Sequence, residues 1–164
     1  MQVIQDRYGG KLDVLVPNAA VSTHFGNQLE MTERAYDKLW DLNVKSTFFL
    51  IKETIDMIRE AGPGANICII TSVGGQNPGQ MLGVYGSTKA ALENMVKWMK
   101  DELRPDGIRV NGIAPGLIAT KFSEMLWKDN NSVQPESIGQ SEHIASVVAT
   151  VCSADGSFMN GETY

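Results

Sequence analysis

Cysteine, positive charge and long apolar runs are all scarce in this sequence. Its two cysteines, Cys68 and Cys152, lie in apolar segments, which favours reduced, packed thiols over a disulfide framework. The formal net charge is −5, with 14 basic residues against 19 acidic ones, and no basic stripe offsets it. This balance argues against nucleic acid or an anionic membrane as a partner. No apolar run approaches the roughly 20 residues needed to cross a bilayer.

Metal-ligand spacing and targeting patterns are missing as well. The two histidines, His24 and His143, have no histidine, cysteine or carboxylate at a ligand spacing, so both are interpreted as surface residues and no metal site is expected. Residues 1–8 have neither a hydrophobic signal core nor an arginine-rich transit pattern. With 43% hydrophobic content over 164 residues, the sequence predicts one soluble intracellular domain, residues 1–164.

Short apolar strands alternate with long helices along the chain. We predict strands at residues 12–16, 65–72 and 108–114, and helices at residues 32–61, 83–103 and 141–152. A preceding helix tail ends at Gly9 and Gly10, and Thr32 is a candidate N-cap for the first long helix. Strands that are apolar throughout are typical of a parallel sheet covered on both faces, so an α/β fold is expected.

Two of the predicted helices have apolar residues on more than one face. The helix at 83–103 has one stripe suited to the sheet (Leu92, Val96, Met99) and a second stripe (Ala91, Met95, Trp98), and the helix before it is similarly broad (Phe48, Phe49, Ile51, Ile55, Ile58). A helix with two apolar faces usually has two partners. We therefore expect a homo-oligomer, either a dimer or a tetramer. Ordinary burial within one chain is the alternative.

Three polar side chains lie around a glycine-rich turn at residues 74–79. Ser72 ends a strand, and Tyr85 and Lys89 are four residues apart, which places them on one face of a helix. A phenol with a pKa of about 10 is a poor acid-base catalyst at neutral pH, and a nearby ammonium could lower that value. A hydroxyl could hold a substrate oxygen against the phenol. This trio suits proton transfer to or from a carbonyl or alcohol oxygen.

The same stretch resembles a known family. The sequence IITS at residues 69–72, followed by YGSTKAAL at residues 85–92, is similar to the short-chain dehydrogenase/reductase family, where a serine precedes the Tyr-x-x-x-Lys tyrosine by this interval. Tyr-x-x-x-Lys alone is common on amphipathic helices, so the resemblance rests on the residues around it as well. It implies an incomplete Rossmann-like, doubly wound parallel sheet with helices on both faces. It also implies hydride transfer between a nicotinamide dinucleotide and a carbonyl or alcohol substrate.

The resemblance implies roles for the trio and for a fourth residue. Tyr85 would be the general acid/base and Ser72 would orient the substrate oxygen. Lys89 would lower the pKa of the phenol and hold the nicotinamide ribose. Asn43, in a segment that is similar to the family's Asn-Val motif, would support a proton relay through water and the lysine. An asparagine inside a helix is otherwise unfavourable, because its side chain competes for backbone hydrogen bonds.

The exit of the first strand matches the family in part. The family carries Asn-Asn-Ala-Gly there, beside the adenosine of the cofactor. In this sequence Asn18 and Ala19 match, whereas Pro17 replaces an asparagine and Ala20 replaces a glycine. The resemblance implies cofactor contacts at Asn18, Ala19 and Ala20. A plain strand-to-loop turn is the alternative.

The exit of the last predicted strand resembles the family's Pro-Gly segment beside the nicotinamide ring. The resemblance implies that five residues there bind the cofactor, with the last placed to bond the carboxamide (Pro115, Gly116, Leu117, Ile118, Thr120). A lone Pro-Gly would mark only a turn. Residues 121–140 are expected to form an apolar, substrate-facing lid, with Asp129, Asn130, Asn131 and Ser132 breaking its pattern.

The segment at 114–127 is most similar to the member 4 branch of that family, a branch of NADPH-dependent carbonyl and retinal reductases associated with peroxisomes. That similarity implies NADP(H) rather than NAD(H), a ketone, dicarbonyl or retinal-like substrate, and a peroxisomal or cytoplasmic location. The family's glycine-rich Thr-Gly-x-x-x-Gly-x-Gly turn and its C-terminal end are not found in this sequence, so we expect only the later part of a family domain. Two hypotheses stay open: an active oxidoreductase, and a truncated, inactive chain that at most associates with full-length subunits.

Overall fold

Helices and strands alternate along the chain, as their sequence patterns predict. The structure is a computed structural model that describes residues 2–128 and 134–164. In chain order the helices are α1 (Gln2–Tyr8), α2 (Glu33–Trp40), α3 (Ser46–Ala61), α4 (Val73–Gln76), α5 (Gly83–Leu103), α6 (Glu124–Trp127) and α7 (Ser141–Cys152). The strands are β1 (Val14–Leu15), β2 (Asn66–Ile70) and β3 (Arg109–Ile113). A π-helix (Asp41–Lys45) joins α2 to α3.

The three strands are parallel and lie in the order β1, β2, β3. In the register of the first pair, Val14 lies opposite Asn66. Residues 161–164 continue the sheet beyond β3, where Thr163 forms a parallel bridge with Gly112. This bridge places the segment beside β3, at the edge of the sheet.

Helices cover both faces of the sheet, which confirms the predicted α/β class. On one face α3 and α5 bury the larger core (Ile51, Ile58, Ile67, Ile69, Leu92, Val96, Met99, Val110), and on the other α7 covers a smaller one (Cys68, Ile113, Val151). Successive side chains of a strand point to opposite faces, so Ile67 and Ile69 enter the larger core and Cys68 the smaller. The central strand β2 therefore contributes side chains to the cores on both faces of the sheet.

The first long helix is interrupted where one continuous helix was predicted. Its start is confirmed, because the Thr32 hydroxyl accepts a hydrogen bond from the Ala35 amide at 3.3 Å. Its end is also confirmed at Gly62, whose φ of 89° favours glycine. Between these ends the π-helix inserts a wider turn, a feature found often at functional sites. Asn43 lies at its centre.

The second long helix, α5, spans the predicted residues, but its two stripes differ in burial. Leu92, Val96 and Met99 face the sheet and are buried, as expected. In the second stripe Met95 is buried within the chain as well, whereas Trp98 is 41% exposed. On α3, Ile51 and Ile58 are also buried, whereas Phe49 and Leu50 are exposed. Burial within one chain thus accounts for most of the additional apolar residues on the two helices. It does not account for Trp98, Phe49 and Leu50, which remain exposed.

The periphery of the molecule is less regular than its centre. The predicted first strand shrinks to two residues, and its Val14 and Val16 side chains are more than a third exposed. His24 and His143 make local contacts, to the Asn27 carbonyl and within the N-terminal cap of α7. Residues 129–133 of the predicted lid lie outside the described residues. No helix of the described part of the chain is long and apolar enough to cross a membrane.

Two glycines let the turn after β2 approach α5 closely. A Cβ at Gly86 would lie 2.5 Å from the Gly74 carbonyl oxygen and 3.0 Å from Pro78 Cβ. A Cβ at Gly75 would lie 2.9 Å from the backbone nitrogen of Ala90. Because backbone atoms cannot give way as a flexible side chain can, only glycine fits at these two positions.

We predict that Gly86→Ala destabilises the protein. Overpacking against backbone costs about 1–3 kcal/mol, and this outweighs the roughly 1 kcal/mol that alanine gains over glycine inside a helix. Gly79→Ala is the matched control, since Gly79 lies in the same turn with φ −72° and open space at its Cβ position. Urea unfolding of the two variants measures the difference. Equal stability of both variants would contradict the close approach.

Candidate active site

The carboxyl ends of the three strands meet at one edge of the sheet. The Ile70 amide donates to the Pro17 carbonyl at 3.0 Å, which joins the exit of β2 to that of β1. The Val73 amide donates to the Pro115 carbonyl at 3.1 Å, which joins the turn after β2 to the exit of β3. These bonds gather the predicted site segments around Ser72, at the position where open α/β sheets bind ligands.

Ser72 begins the short helix α4 and faces the tyrosine. Its hydroxyl oxygen accepts a hydrogen bond from the Gly74 amide at 3.1 Å. A Cβ added at Gly74 would lie 3.4 Å from the Ser72 oxygen and 4.0 Å from Cε1 of the Tyr85 ring, so the hydroxyl and the phenol ring border the same glycine. The structure therefore brings together two of the three predicted side chains.

Tyr85 lies in the first turns of α5 and is 8% exposed. Burial raises the pKa of its phenol above the ordinary value, and the neighbouring Ser72 hydroxyl opposes that rise. The direction differs from the sequence-based expectation that Lys89 lowers this pKa. The physical reason is twofold: desolvation disfavours the phenolate, and the lysine ammonium is held elsewhere.

The Lys89 ammonium lies 5.7 Å from the centroid of the Tyr85 ring and donates to the Ile70 carbonyl at 2.9 Å. The side chain is therefore one helical turn from the tyrosine, as the spacing predicts, and it is tied to the end of β2. Burial lowers the pKa of Lys89 to about 8, because the charged form is poorly solvated there. Near neutral pH the buried ammonium is destabilised by its poor solvation, and hydrogen-bond acceptors placed beside it would reduce that destabilisation.

Asn43 is fully buried and hydrogen-bonds to two other segments of the chain, a contact set called here the Asn43 clamp. Its amide oxygen accepts from the Val21 amide at 2.8 Å, and its amide nitrogen donates to the Val21 carbonyl at 3.0 Å. The same nitrogen donates to the Thr88 hydroxyl at 3.1 Å. Asn43 thereby fixes the loop after β1 against the helix that carries Tyr85.

The remaining predicted residues line the two strand exits. Asn18 and Ala19 are exposed and Ala20 is half-buried after β1. After β3, four of the five predicted residues are half-buried and Gly116 is exposed (Pro115, Leu117, Ile118, Thr120). The Thr120 hydroxyl is hydrogen-bonded to the Ser123 hydroxyl at 3.1 Å. Within the described part of the chain, no cluster of three or more histidine, cysteine or carboxylate side chains could hold a metal ion.

Sequence reasoning missed two residues that position this site. The Gln28 side-chain oxygen accepts from the Val84 amide at 3.0 Å, and its nitrogen donates to the Met81 carbonyl at 2.8 Å, so Gln28 fixes the start of α5. Thr88 is fully buried between Asn43 and the Tyr85 carbonyl, which accepts from its hydroxyl at 2.7 Å. A polar residue on the otherwise buried face of α5 was the available signal for Thr88. Nothing in the local sequence indicates the contacts of Gln28.

An aromatic ring from the predicted lid lies against the tyrosine. The centroids of the Phe122 and Tyr85 rings are 5.8 Å apart and their planes are inclined by 45°. Phe122 stays 47% exposed, and the neighbouring Met125 is 62% exposed. An apolar surface thus borders the phenol on the side of the lid.

Comparison with known proteins gives consistent matches along the chain. A family model described as enoyl-(acyl carrier protein) reductase matches residues 1–164. The chain is 40% identical over 161 residues to dehydrogenase/reductase SDR family member 4 of Sus scrofa, a match that covers 94% of the chain. The chain spans 57% of that relative's length.

Solved structures share the same fold. A 3-ketoacyl-(acyl-carrier-protein) reductase from Brucella melitensis, complexed with NADH, superimposes with a TM-score of 0.88 at 24% identity. The match covers 99% of this chain and 68% of that one. ElxO with bound NADP gives a TM-score of 0.86 at 26% identity and covers 99% and 67% of the two chains.

The buried ammonium predicts a pH-dependent stability. The pKa of Lys89 falls from 10.5 to about 8 on folding, so the unfolded chain binds the proton more tightly between these values. The lysine's contribution to the free energy of unfolding therefore rises as pH rises through that window, by about 3 kcal/mol at 1.4 kcal/mol per pKa unit. Lys89→Met removes this rise. Relative to the wild type, the variant is therefore stabilised at pH 7, and this relative stabilisation is lost by pH 10.

Urea unfolding at pH 7 and pH 10 measures the effect as a difference between the two proteins. All other titratable groups are present in both proteins, so the difference between the proteins reports on Lys89. Lys97→Met is the control, because Lys97 is exposed on the same helix. A stability difference for Lys89→Met that is the same at both pH values would overturn the burial argument.

Proposed function

The chain belongs to the short-chain dehydrogenase/reductase family. From this premise we propose that it functions as an oxidoreductase, which transfers a hydride between NADP(H) and a carbonyl or alcohol substrate. The observation that carries the proposal is the placement of the Ser72 hydroxyl and the buried Tyr85 ring on either side of Gly74, with the Lys89 ammonium 5.7 Å from the centroid of that ring. These groups lie together at the carboxyl edge of a parallel sheet, with an apolar surface beside them. That combination suits a reaction at a substrate oxygen.

The residues present fit the nicotinamide half of a dinucleotide. The Lys89 ammonium has three donors, is 2% exposed and has a depressed pKa, so the acceptor oxygens of a ribose diol would stabilise its charge. We propose that Lys89 and Tyr85 hold the ribose, that the five residues of the β3 exit hold the nicotinamide (Pro115, Gly116, Leu117, Ile118, Thr120), and that Asn18, Ala19 and Ala20 border the adenosine side. When bound, the nicotinamide supplies or accepts the hydride.

The chain's own side chains would handle the proton and the substrate oxygen. In the reductive direction the Tyr85 phenol donates its proton to the carbonyl oxygen, which becomes the alcohol. The Ser72 hydroxyl hydrogen-bonds the same oxygen and holds it against the phenol. Lys89 then favours the phenolate when its ammonium is released from the Ile70 carbonyl toward the site. Asn43 supports the relay by fixing the loop after β1 and the buried face of α5.

The proposed substrate is a ketone, dicarbonyl or retinal-like compound. The exposed Phe122 ring against Tyr85 supports an apolar group next to the reacting carbon. NADP(H) is preferred over NAD(H) because the segment at 114–127 resembles the NADPH-dependent branch. Proteins of the same fold have been solved with each cofactor, so competition between NADPH and NADH is the direct measure of preference.

The alternative is a chain that joins full-length subunits without turning over substrate. The chain spans 57% of the length of the Sus scrofa relative, so retention of cofactor by these 164 residues is itself a measurement to make. Fluorescence titration with NADPH separates the two. Tight binding argues for the oxidoreductase, whereas absent binding together with co-purification of a longer relative argues for the associating chain.

We predict that Tyr85→Phe abolishes carbonyl reduction while leaving NADPH binding nearly intact. Removing a general acid costs about 100-fold or more in rate, and the ring itself is retained. Tyr36→Phe is the matched control, since Tyr36 is 44% exposed on α2 and should keep wild-type turnover. NADPH oxidation with a dicarbonyl substrate measures the rate. Unchanged turnover in Tyr85→Phe would sink the proposed assignment of roles.

We also propose that copies of the chain associate through α3 and α5. Three large apolar side chains on these helices remain more than two fifths exposed, Phe49, Leu50 and Trp98. Burying them against the same surface of a second copy would remove apolar area from water, which is the usual force behind symmetric assembly.

We predict that Trp98→Glu lowers the oligomeric state at a given concentration, because a buried, unpaired carboxylate would disfavour the interface. Leu29→Glu is the control, since Leu29 is 97% exposed and lies on neither helix. Sedimentation velocity over a concentration series measures the change. If the two variants sediment alike, the assembly does not use α5.

A further inference from the structure

The two cysteines are far apart in sequence but adjacent in the fold. Cys68 lies in the middle of β2 and is fully buried, and Cys152 is the last residue of α7 and is half-buried. Both side chains belong to the smaller core between the sheet and α7, and the Cys152 sulfur lies beside Asn66, which is two residues before Cys68 on the same face of β2. Both are free thiols in this structure.

Polar groups surround the outer thiol of this pair. The Cys152 sulfur lies 3.8 Å from the Asn66 side-chain oxygen on the same face of β2. The Arg109 guanidinium lies at the end of α7, where it donates to the Val151 carbonyl at 2.9 Å and the Gly156 carbonyl at 2.6 Å. The positive charge thus sits beside Cys152 and is held there by backbone carbonyls.

The two thiols differ in their readiness to ionise. The neighbouring Cys68 thiol lowers the pKa of Cys152 to about 7; burial opposes that shift and the charge of Arg109 adds to it. The neighbouring Cys152 thiol, together with burial, raises the pKa of Cys68. The accessible thiol is therefore the nucleophilic one, and the buried thiol keeps its proton.

From this placement we propose that Cys68 and Cys152 form a redox-responsive pair, which a peroxide converts to an intrachain disulfide between β2 and the end of α7. The proposal goes beyond the oxidoreductase function and does not depend on it. It assigns a modification site on the opposite face of the sheet from the α3 and α5 helices.

The reaction balances with the peroxide as the oxidant. The Cys152 thiolate attacks one peroxide oxygen, the O–O bond breaks, and the departing oxygen leaves as water or an alcohol after taking up a proton. The sulfur of Cys152 is then a sulfenic acid. The Cys68 sulfur attacks it, the S–O bond breaks, and the hydroxyl leaves as water with the proton of Cys68. Two thiols and one peroxide become one disulfide, water, and a second water or an alcohol.

The position of the bond gives it a structural consequence. Cys68 lies on β2, four residues before Ser72, so the disulfide would tie the strand that leads to the serine to the helix on the far face. The bond would close a long loop of the chain, which restricts the unfolded state strongly. Oxidation should therefore raise the unfolding temperature of the chain, and reduction should reverse that rise.

The test is thiol mapping on the full 164-residue chain. Reduced protein is exposed to equimolar hydrogen peroxide, alkylated, digested and analysed by mass spectrometry. The expected result is a cross-linked peptide pair containing Cys68 and Cys152, with both free thiols lost in a denaturing thiol assay and restored by dithiothreitol. Non-reducing electrophoresis should show the oxidised chain as a monomeric band.

Two variants sharpen the outcome. Cys68→Ser leaves Cys152 without its partner, so dimedone should trap its sulfenic acid and no cross-link should form. Cys152→Ser leaves the fully buried Cys68, which should keep its free thiol under the same exposure. Wild-type protein that keeps both thiols, that oxidises Cys152 while Cys68 stays free, or that links between chains would overturn the proposal. Because the wild-type thiol map alone decides between these outcomes, a folding defect in either variant leaves the test intact.

Discussion

Parallel pairing of the strands is the constraint on which the rest of this structure depends. Because β1, β2 and β3 run in the same direction, their carboxyl ends meet at one edge, and the loops that follow them become neighbours. Backbone bonds from Ile70 to Pro17 and from Val73 to Pro115 hold those loops together. Segments that are almost a hundred residues apart in sequence, such as 17–21 and 115–120, thereby share a single site with Ser72.

Burial then decides the electrostatics of that site. The large core under α5 brings Tyr85 and Lys89 out of water along with the apolar stripe that packs on the sheet. Desolvation raises the pKa of the phenol and lowers that of the ammonium, so both groups are pushed toward their neutral forms. The spacing of the two residues alone suggested the opposite direction for the tyrosine. Hydrogen-bond acceptors placed beside Lys89 would shift this balance toward the charged ammonium.

Hydrogen bonds of buried polar side chains such as Asn43 hold the segments of the candidate site in place. The Asn43 amide makes three hydrogen bonds, and each joins a different piece of backbone or side chain to the π-helix. Leaving such buried groups unpaired typically costs about 1–3 kcal/mol each, so the clamp also contributes to stability. The predicted conflict between an asparagine and a helix interior is resolved here by the wider π turn, which frees the side chain to face Val21 and Thr88.

The sequence by itself determined the α/β class, the bounds of α5 and α7, and the one-face placement of Tyr85 and Lys89, since each follows from local periodicity, caps and turn residues. The bounds of α5 and the Thr32 cap are examples. Only the tertiary structure decided the contacts of Gln28 with the start of α5, the tie between Lys89 and Ile70, and the meeting of Cys68 with Cys152. Those contacts join residues that are 19 to 84 positions apart, and no local pattern encodes which distant groups the packing of helices on a sheet will bring together.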